Sequence, residues 1–138
     1  MVKLIMGMKG SGKTKILVDL VKAAVSEESG DVVVIEHGNE LTYDIPYQAR
    51  LVDANTYDIG SYEFLKGFLC GIHSGNYDIT HIFVDNFFKI VNDKSDASLI
   101  SFVDWLKVFA ERENIEFILS LSTSSESVPE SLKDLVIE

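Results

Sequence analysis

A chain of 138 residues suits one domain, 1–138, built around one core. Its formal net charge of −10 argues against nonspecific binding to nucleic acid, which needs a basic surface to displace counterions. Cys70 is the one cysteine, no signal-like apolar segment precedes the first glycine, and no apolar run approaches the roughly 20 residues of a membrane span, so the expectation is a cytoplasmic protein with no internal disulfide and no membrane span.

Lys3-Leu4-Ile5-Met6 reads as a short strand near 3–7. It flows into Gly7-Met8-Lys9-Gly10-Ser11-Gly12-Lys13-Thr14, the spacing G-x-x-x-x-G-K-[ST] of a phosphate-binding P-loop, with a strand before it and a helical pattern after it. Gly7, Gly10 and Gly12 open backbone angles closed to residues with a Cβ, so that successive N–H groups of the loop, Lys9 and Ser11 included, can face phosphate oxygens. The helix behind the loop adds its free N–H groups and the positive end of its dipole. On this reading Lys13 reaches the β- and γ-phosphates of ATP, and the Thr14 hydroxyl ligates Mg²⁺. The competing reading is a chance glycine-rich turn.

Ile16, Leu17, Leu20, Val21, Ala24 and Val25 recur at helical spacing up to about Ser26, with Gly30 as the expected stop. Val32 to Ile35 is a β-branched run suited to a buried parallel strand near 32–36. Further strands are expected near 50–53, 80–85 and 115–121. Ser61 to His73 reads as a helix capped by Ser61, with Gly67 and Gly71 allowing close packing. Ser95 to Arg112 is a long amphipathic helix, and Pro129 opens a short terminal one with Ser127 as its cap. Phe87-Phe88 and the Trp105 side of the long helix are candidate contact surfaces, although ordinary core is the competing reading for Trp105. His37, His73 and His81 lack metal-ligand spacing. Strands alternating with helices give an α/β domain, three αβα layers around a mainly parallel sheet of about five strands.

Asp85 ends the apolar run His81-Ile82-Phe83-Val84, where ligands of open α/β sheets sit, and it is the candidate second metal ligand. A cap for the following element is the alternative. The polar residues ending the last strand, from Ser120 to Thr123, are candidates to sense the γ-phosphate, with a solvated serine-rich loop as the alternative.

Gly7 to Thr14 together with Asp85 resemble the P-loop NTPase superfamily over most of the chain. In its RecA-like branch a strand lies between the P-loop strand and the Asp strand; in the kinase/GTPase branch the two are neighbours. The strand that ends in Ser120-Leu121-Ser122 resembles that inserted strand, so the RecA-like branch is favoured. The whole chain is also similar to small bacterial single-domain ATP-binding proteins sometimes labelled twitching-motility ATPases. That label implies a hexameric motor with an additional N-terminal domain, more than 138 residues accommodate, and it is left aside. The resemblance implies Mg·ATP as ligand, with two departures. The residue after Asp85, where a catalytic Glu often stands, is Asn86, and no arginine finger is evident. Glu36, ending the second strand, resembles the position of the RecA base and is the candidate base; a surface carboxylate is the alternative. Three functions are therefore open: a slow ATPase or ATP-dependent switch, a nucleotide-binding regulatory module without hydrolysis, and a small-molecule kinase. A protein partner or a homo-oligomer is expected in the switch readings.

Overall fold

In the computed structural model, which describes residues 1–27 and 29–137, five strands form one sheet: β1 (Val2–Met6), β2 (Asp31–Glu36), β3 (Arg50–Asp53), β4 (Ile79–Val84) and β5 (Glu116–Leu121). Their order is β1-β5-β4-β2-β3, and every pairing is parallel. Such a sheet needs cover on both faces, and the alternation of side chains along each strand supplies two apolar faces. Ile5, Val32, Val34, Phe83 and Ile118 face one way, against Leu17, Val18, Val21 and Ala24 of α1 (Lys13–Ser26). Leu41, Ile45 and Ala49 of the loop after β2 complete that layer. Val33, Ile35, Ile82, Val84, Phe117 and Leu119 face the other way. They meet Leu65 and Leu69 of α2 (Tyr62–Ser74), and Phe102, Val103 and Leu106 of α4 (Asp96–Glu113). The result is a mixed α/β domain of three layers with a parallel five-stranded sheet.

The helices start where the local chemistry allows. The Ser61 hydroxyl accepts from Phe64 N–H at 3.1 Å, and that of Ser95 accepts from Ser98 N–H at 3.4 Å. Helix α4 ends at Asn114, which takes the left-handed conformation (φ 55°) and donates its N–H to Ala110 O. Between β4 and α4 lies one turn of helix, α3 (Phe87–Ile90).

Several expectations are corrected. Gly30 is not a left-handed helix stop; α1 ends at Ser26, and Gly30 instead leaves room where a Cβ would meet Thr80 and the Asp78 carbonyl. Gly67 and Gly71 face no neighbour, since a Cβ on either would meet nothing within 4 Å. The terminal segment Glu130–Leu135 is 3-10 rather than α-helical and follows Pro129 directly, so Ser127 does not cap it. Phe87 is fully buried and Phe88 half-buried, packed edge-on at 5.6 Å, so Phe87 is core rather than contact surface and Phe88 lies at the margin of the core. Trp105 is half-buried between Phe102 and Phe109, with ring centroids 6.0 and 5.2 Å away.

β1 is an edge strand. Its outer side is covered by the C-terminal segment: Val136 bridges Leu4, and Ile137 N–H donates to Leu4 O at 2.8 Å. Among the described residues, no helix is long and apolar enough to cross a membrane.

Candidate functional site

A parallel sheet brings the carboxyl ends of its strands to one edge, and the strand order decides which residues meet there. Gly7 follows β1, Thr123 stands two residues past β5, Asp85 follows β4, and Glu36 ends β2. Neighbouring strands in that order are β1, β5, β4 and β2. The glycine-rich loop and both candidate carboxylates therefore lie at the same edge. The strand carrying Asp85 is separated from β1 by β5.

The loop is tied at its start and braced within. Gly7 N–H donates to Thr123 O at 2.9 Å, tying it to the end of β5, and Ser11 N–H donates to Met8 O at 3.0 Å. Gly10 and Gly12 have φ of 85° and 92°, a region that costs a residue with a Cβ about 1–2 kcal/mol. A Cβ on Gly7 would collide with the Ser11 side chain. Helix α1 starts immediately after Gly12, which has no side chain to cap it, and no acidic residue stands in its first turn. Its first N–H groups and positive dipole end are thus unopposed by side chains, an arrangement that favours an anion. Lys13 is buried, and its ammonium folds back over the loop to donate to Met8 O at 3.2 Å. Lys9, Ser11 and Thr14 are exposed.

Asp85 is held tightly although it is only 3% exposed. Its N–H donates to Ile35 O at 2.8 Å, which locks it beside β2. The Ser120 hydroxyl donates to Asp85 Oδ1 at 2.6 Å and accepts from Asn86 N–H at 2.9 Å. Asn86 Nδ2 donates to Asp85 Oδ2 at 3.3 Å. Ser120 thus fixes the Asp85 carboxylate in place. The signal was present in the sequence as a hydroxyl inside an otherwise apolar strand, where a buried polar group must find a partner.

Glu36, also 3% exposed, accepts from Leu41 N–H through both carboxylate oxygens at 3.2 Å each. Burial pushes its pKa above the ordinary glutamate value, the Leu41 hydrogen bond pulls it down, and the charges of Asp85, Glu40 and Asp53 push it up further. A raised pKa suits a proton acceptor, but this carboxylate is already engaged with backbone.

A cavity of about 320 Å³ opens at this edge. Lys9, Gly10, Lys13 and Thr14 line it from the loop side, and Asn86, Phe88, Lys89 and Lys94 from the α3 side, with Ser122 and Glu40. Asp85 and Glu36 are not among its lining residues. Lys89, Lys94 and Phe88 were not named as site residues, because only the fold shows which side chains of the segment after Asp85 line the cavity. A larger hollow of about 900 Å³ lies elsewhere, between α2 and strands β2 and β3. It is mainly apolar, with none of the predicted site residues in its lining.

Among the described residues, no group of three or more His, Cys, Asp or Glu could hold a metal alone. A divalent cation here would need oxygens from an anionic ligand, the usual habit of Mg²⁺, which keeps one or two protein oxygens beside phosphates and waters. Thr14, exposed on the cavity wall, offers one such oxygen; the Asp85 carboxylate stands at the same edge, buried behind that wall and held by Ser120 and Asn86. His81 is remote from this edge; it pairs with Glu116 at 3.1 Å at the opposite ends of the strands. His73 pairs with Glu113 at 2.7 Å. No protein-family model matches the chain, and no curated protein matches it.

Proposed function

We infer that this chain binds Mg·ATP on its glycine-rich loop and acts as a slow ATPase or an ATP-dependent switch. One observation carries the reading. The loop with left-handed Gly10 and Gly12 runs straight into an uncapped helix, while the strand order brings Asp85 to the same edge. In this reading the loop N–H groups and Lys13 hold the phosphates, and Thr14 and Asp85 hold the cation. Bound Mg²⁺ would neutralise phosphate charge. Ser120 keeps the Asp85 carboxylate aimed, and burial keeps bulk water from it. The position of β5 between β1 and β4 supports the RecA-like branch of P-loop NTPases over the kinase/GTPase branch.

A second reading, binding without hydrolysis and regulation of a partner, is favoured by two features. The residue after Asp85 is an amide, and the Glu36 carboxylate is spent on Leu41 N–H. The test is nucleotide binding and ADP release from Mg·ATP, run on the wild type, Lys13→Ala and Asp85→Asn. Binding that falls at least tenfold in Lys13→Ala, and loses its Mg²⁺ dependence in Asp85→Asn, supports the reading. A folded Lys13→Ala protein with unchanged binding refutes it. Turnover in the wild type selects the ATPase; binding without turnover selects the regulatory module.

A further inference from the structure

The chain is acidic, with a net charge of −10, yet four lysines converge on the 320 Å³ cavity against one carboxylate, Glu40. Like charges gathered this way repel one another unless an anion joins them. Lys9 and Lys13 belong to the glycine-rich loop. Lys89 and Lys94 stand on a different scaffold, and that scaffold is fixed. Asn86 takes the left-handed conformation (φ 51°) and turns the chain back directly after Asp85. Phe87, Ile90 and Val91 then anchor the turn in the core. Gly60 grips the segment from both sides: its N–H donates to Ile90 O at 3.0 Å, and its carbonyl accepts from Asn92 N–H at 3.0 Å. The Tyr62 hydroxyl donates to Asp93 O at 2.8 Å. Lys94 holds its ammonium over the Phe88 ring, 6.0 Å from the centroid. Among the described residues, neither Lys89 nor Lys94 has an ion-pair partner.

We propose that Lys89 and Lys94 form an in-chain cationic clamp for the terminal phosphate of the nucleoside triphosphate held on the glycine-rich loop. The inference rests on the Mg·ATP reading of the site and extends it. A γ-phosphate adds charge and oxygens that a diphosphate lacks, so a clamp placed across from the loop distinguishes the two. It also supplies, within one copy of the chain, the positive charge that P-loop proteins without an arginine of their own take from a neighbour. The site is then complete in the monomer.

The experiment measures affinity for a non-hydrolysable ATP analogue and for ADP, each with Mg²⁺. The proteins are the wild type, Lys89→Ala, Lys94→Ala, the double variant, Lys94→Arg and Lys13→Ala. Both clamp lysines are exposed, so the substitutions leave the urea midpoint unchanged. The expected result is a triphosphate affinity about tenfold lower in each alanine variant, a diphosphate affinity within twofold of wild type, and recovery in Lys94→Arg. The wild-type preference for triphosphate should hold on dilution. A double variant that keeps the wild-type ratio of triphosphate to diphosphate affinity overturns the clamp but leaves the loop reading standing, provided that Lys13→Ala has lost binding. A ratio that emerges only at concentrations where the chain self-associates also overturns it, by placing the charge on a second copy. A wild type that binds neither nucleotide, or a Lys13→Ala protein that binds both normally, removes the Mg·ATP reading and the clamp with it.

Discussion

Replacing Ser120 by alanine tests whether Asp85 is held by design or by chance. The substitution deletes one buried oxygen, too little to open a serious cavity, so packing changes can be neglected. It removes the 2.6 Å hydrogen bond into the Asp85 carboxylate and the 2.9 Å bond from Asn86 N–H. A hydrogen bond to a charged acceptor contributes about 1.5–3 kcal/mol, and an orphaned N–H costs about 1–3 kcal/mol. Asn86 is only half-buried, so water can reach its N–H and the lower end of the second range applies. The expected loss is about 3 kcal/mol, a large fraction of a typical domain stability of about 5–15 kcal/mol. In urea, with a slope of about 2 kcal/mol/M, the midpoint should fall by about 1.5 M while the slope stays constant. Ser122→Ala, at an exposed position on the same strand end, is the control and should not move the midpoint. A Ser120→Ala midpoint within about 0.3 M of wild type would refute the argument that this hydroxyl sustains the buried carboxylate.

Two further outcomes follow from the same site and its supporting sheet. Because burial raises the folded-state pKa of Glu36, its ionised form weakens the fold, and that penalty grows as pH rises above the ordinary glutamate value of 4.5. Glu36→Gln keeps an acceptor for Leu41 N–H, so it should be more stable than wild type at pH 7.5 and lose that advantage at pH 4; urea midpoints at the two pH values check the sign. Deleting residues 136–138 removes the cover of the β1 edge, including the Ile137 bond to Leu4 O. Stability should drop and self-association should rise, as seen by size-exclusion chromatography, because an uncovered strand edge is a template for pairing.

Much of the candidate site was legible because its loop residues are contiguous. Gly7 to Gly12 form one loop that runs straight into Lys13 and Thr14 at the start of α1, and the loop's geometry depends on glycines whose role is local. The strands were legible for a similar reason: β-branched runs such as Val32 to Ile35 declare themselves without reference to the rest of the chain. What escaped depends on tertiary placement. Lys89 and Lys94 look like ordinary surface lysines until the left-handed Asn86 folds their segment over the loop. Phe87 and Phe88 read as a candidate contact surface, yet the one-turn helix inserts Phe87 into the core. Gly67 and Gly71 suggested a tight helix contact, and among the described residues nothing lies within 4 Å of where their Cβ would be; both line the apolar hollow instead. Gly30 was read as a backbone device when it is a matter of space, set by Thr80 and Asp78 some fifty residues away.

The placement of β1 also sets a timetable. The strand leading into the glycine-rich loop is made well before its sheet partner β5, which it meets from Val2 against Phe117 to Met6 against Leu121, and its other side waits for Val136 and Ile137. At ordinary rates of synthesis the interval between the two is on the order of ten seconds. During that time the loop has no frame on either side, and its pairing is among the most distant in sequence that the fold contains, the kind that forms slowly. This segment is therefore made long before it can acquire its shape, and any nucleotide it holds can be gripped only once β5 and residues 136–137 have arrived.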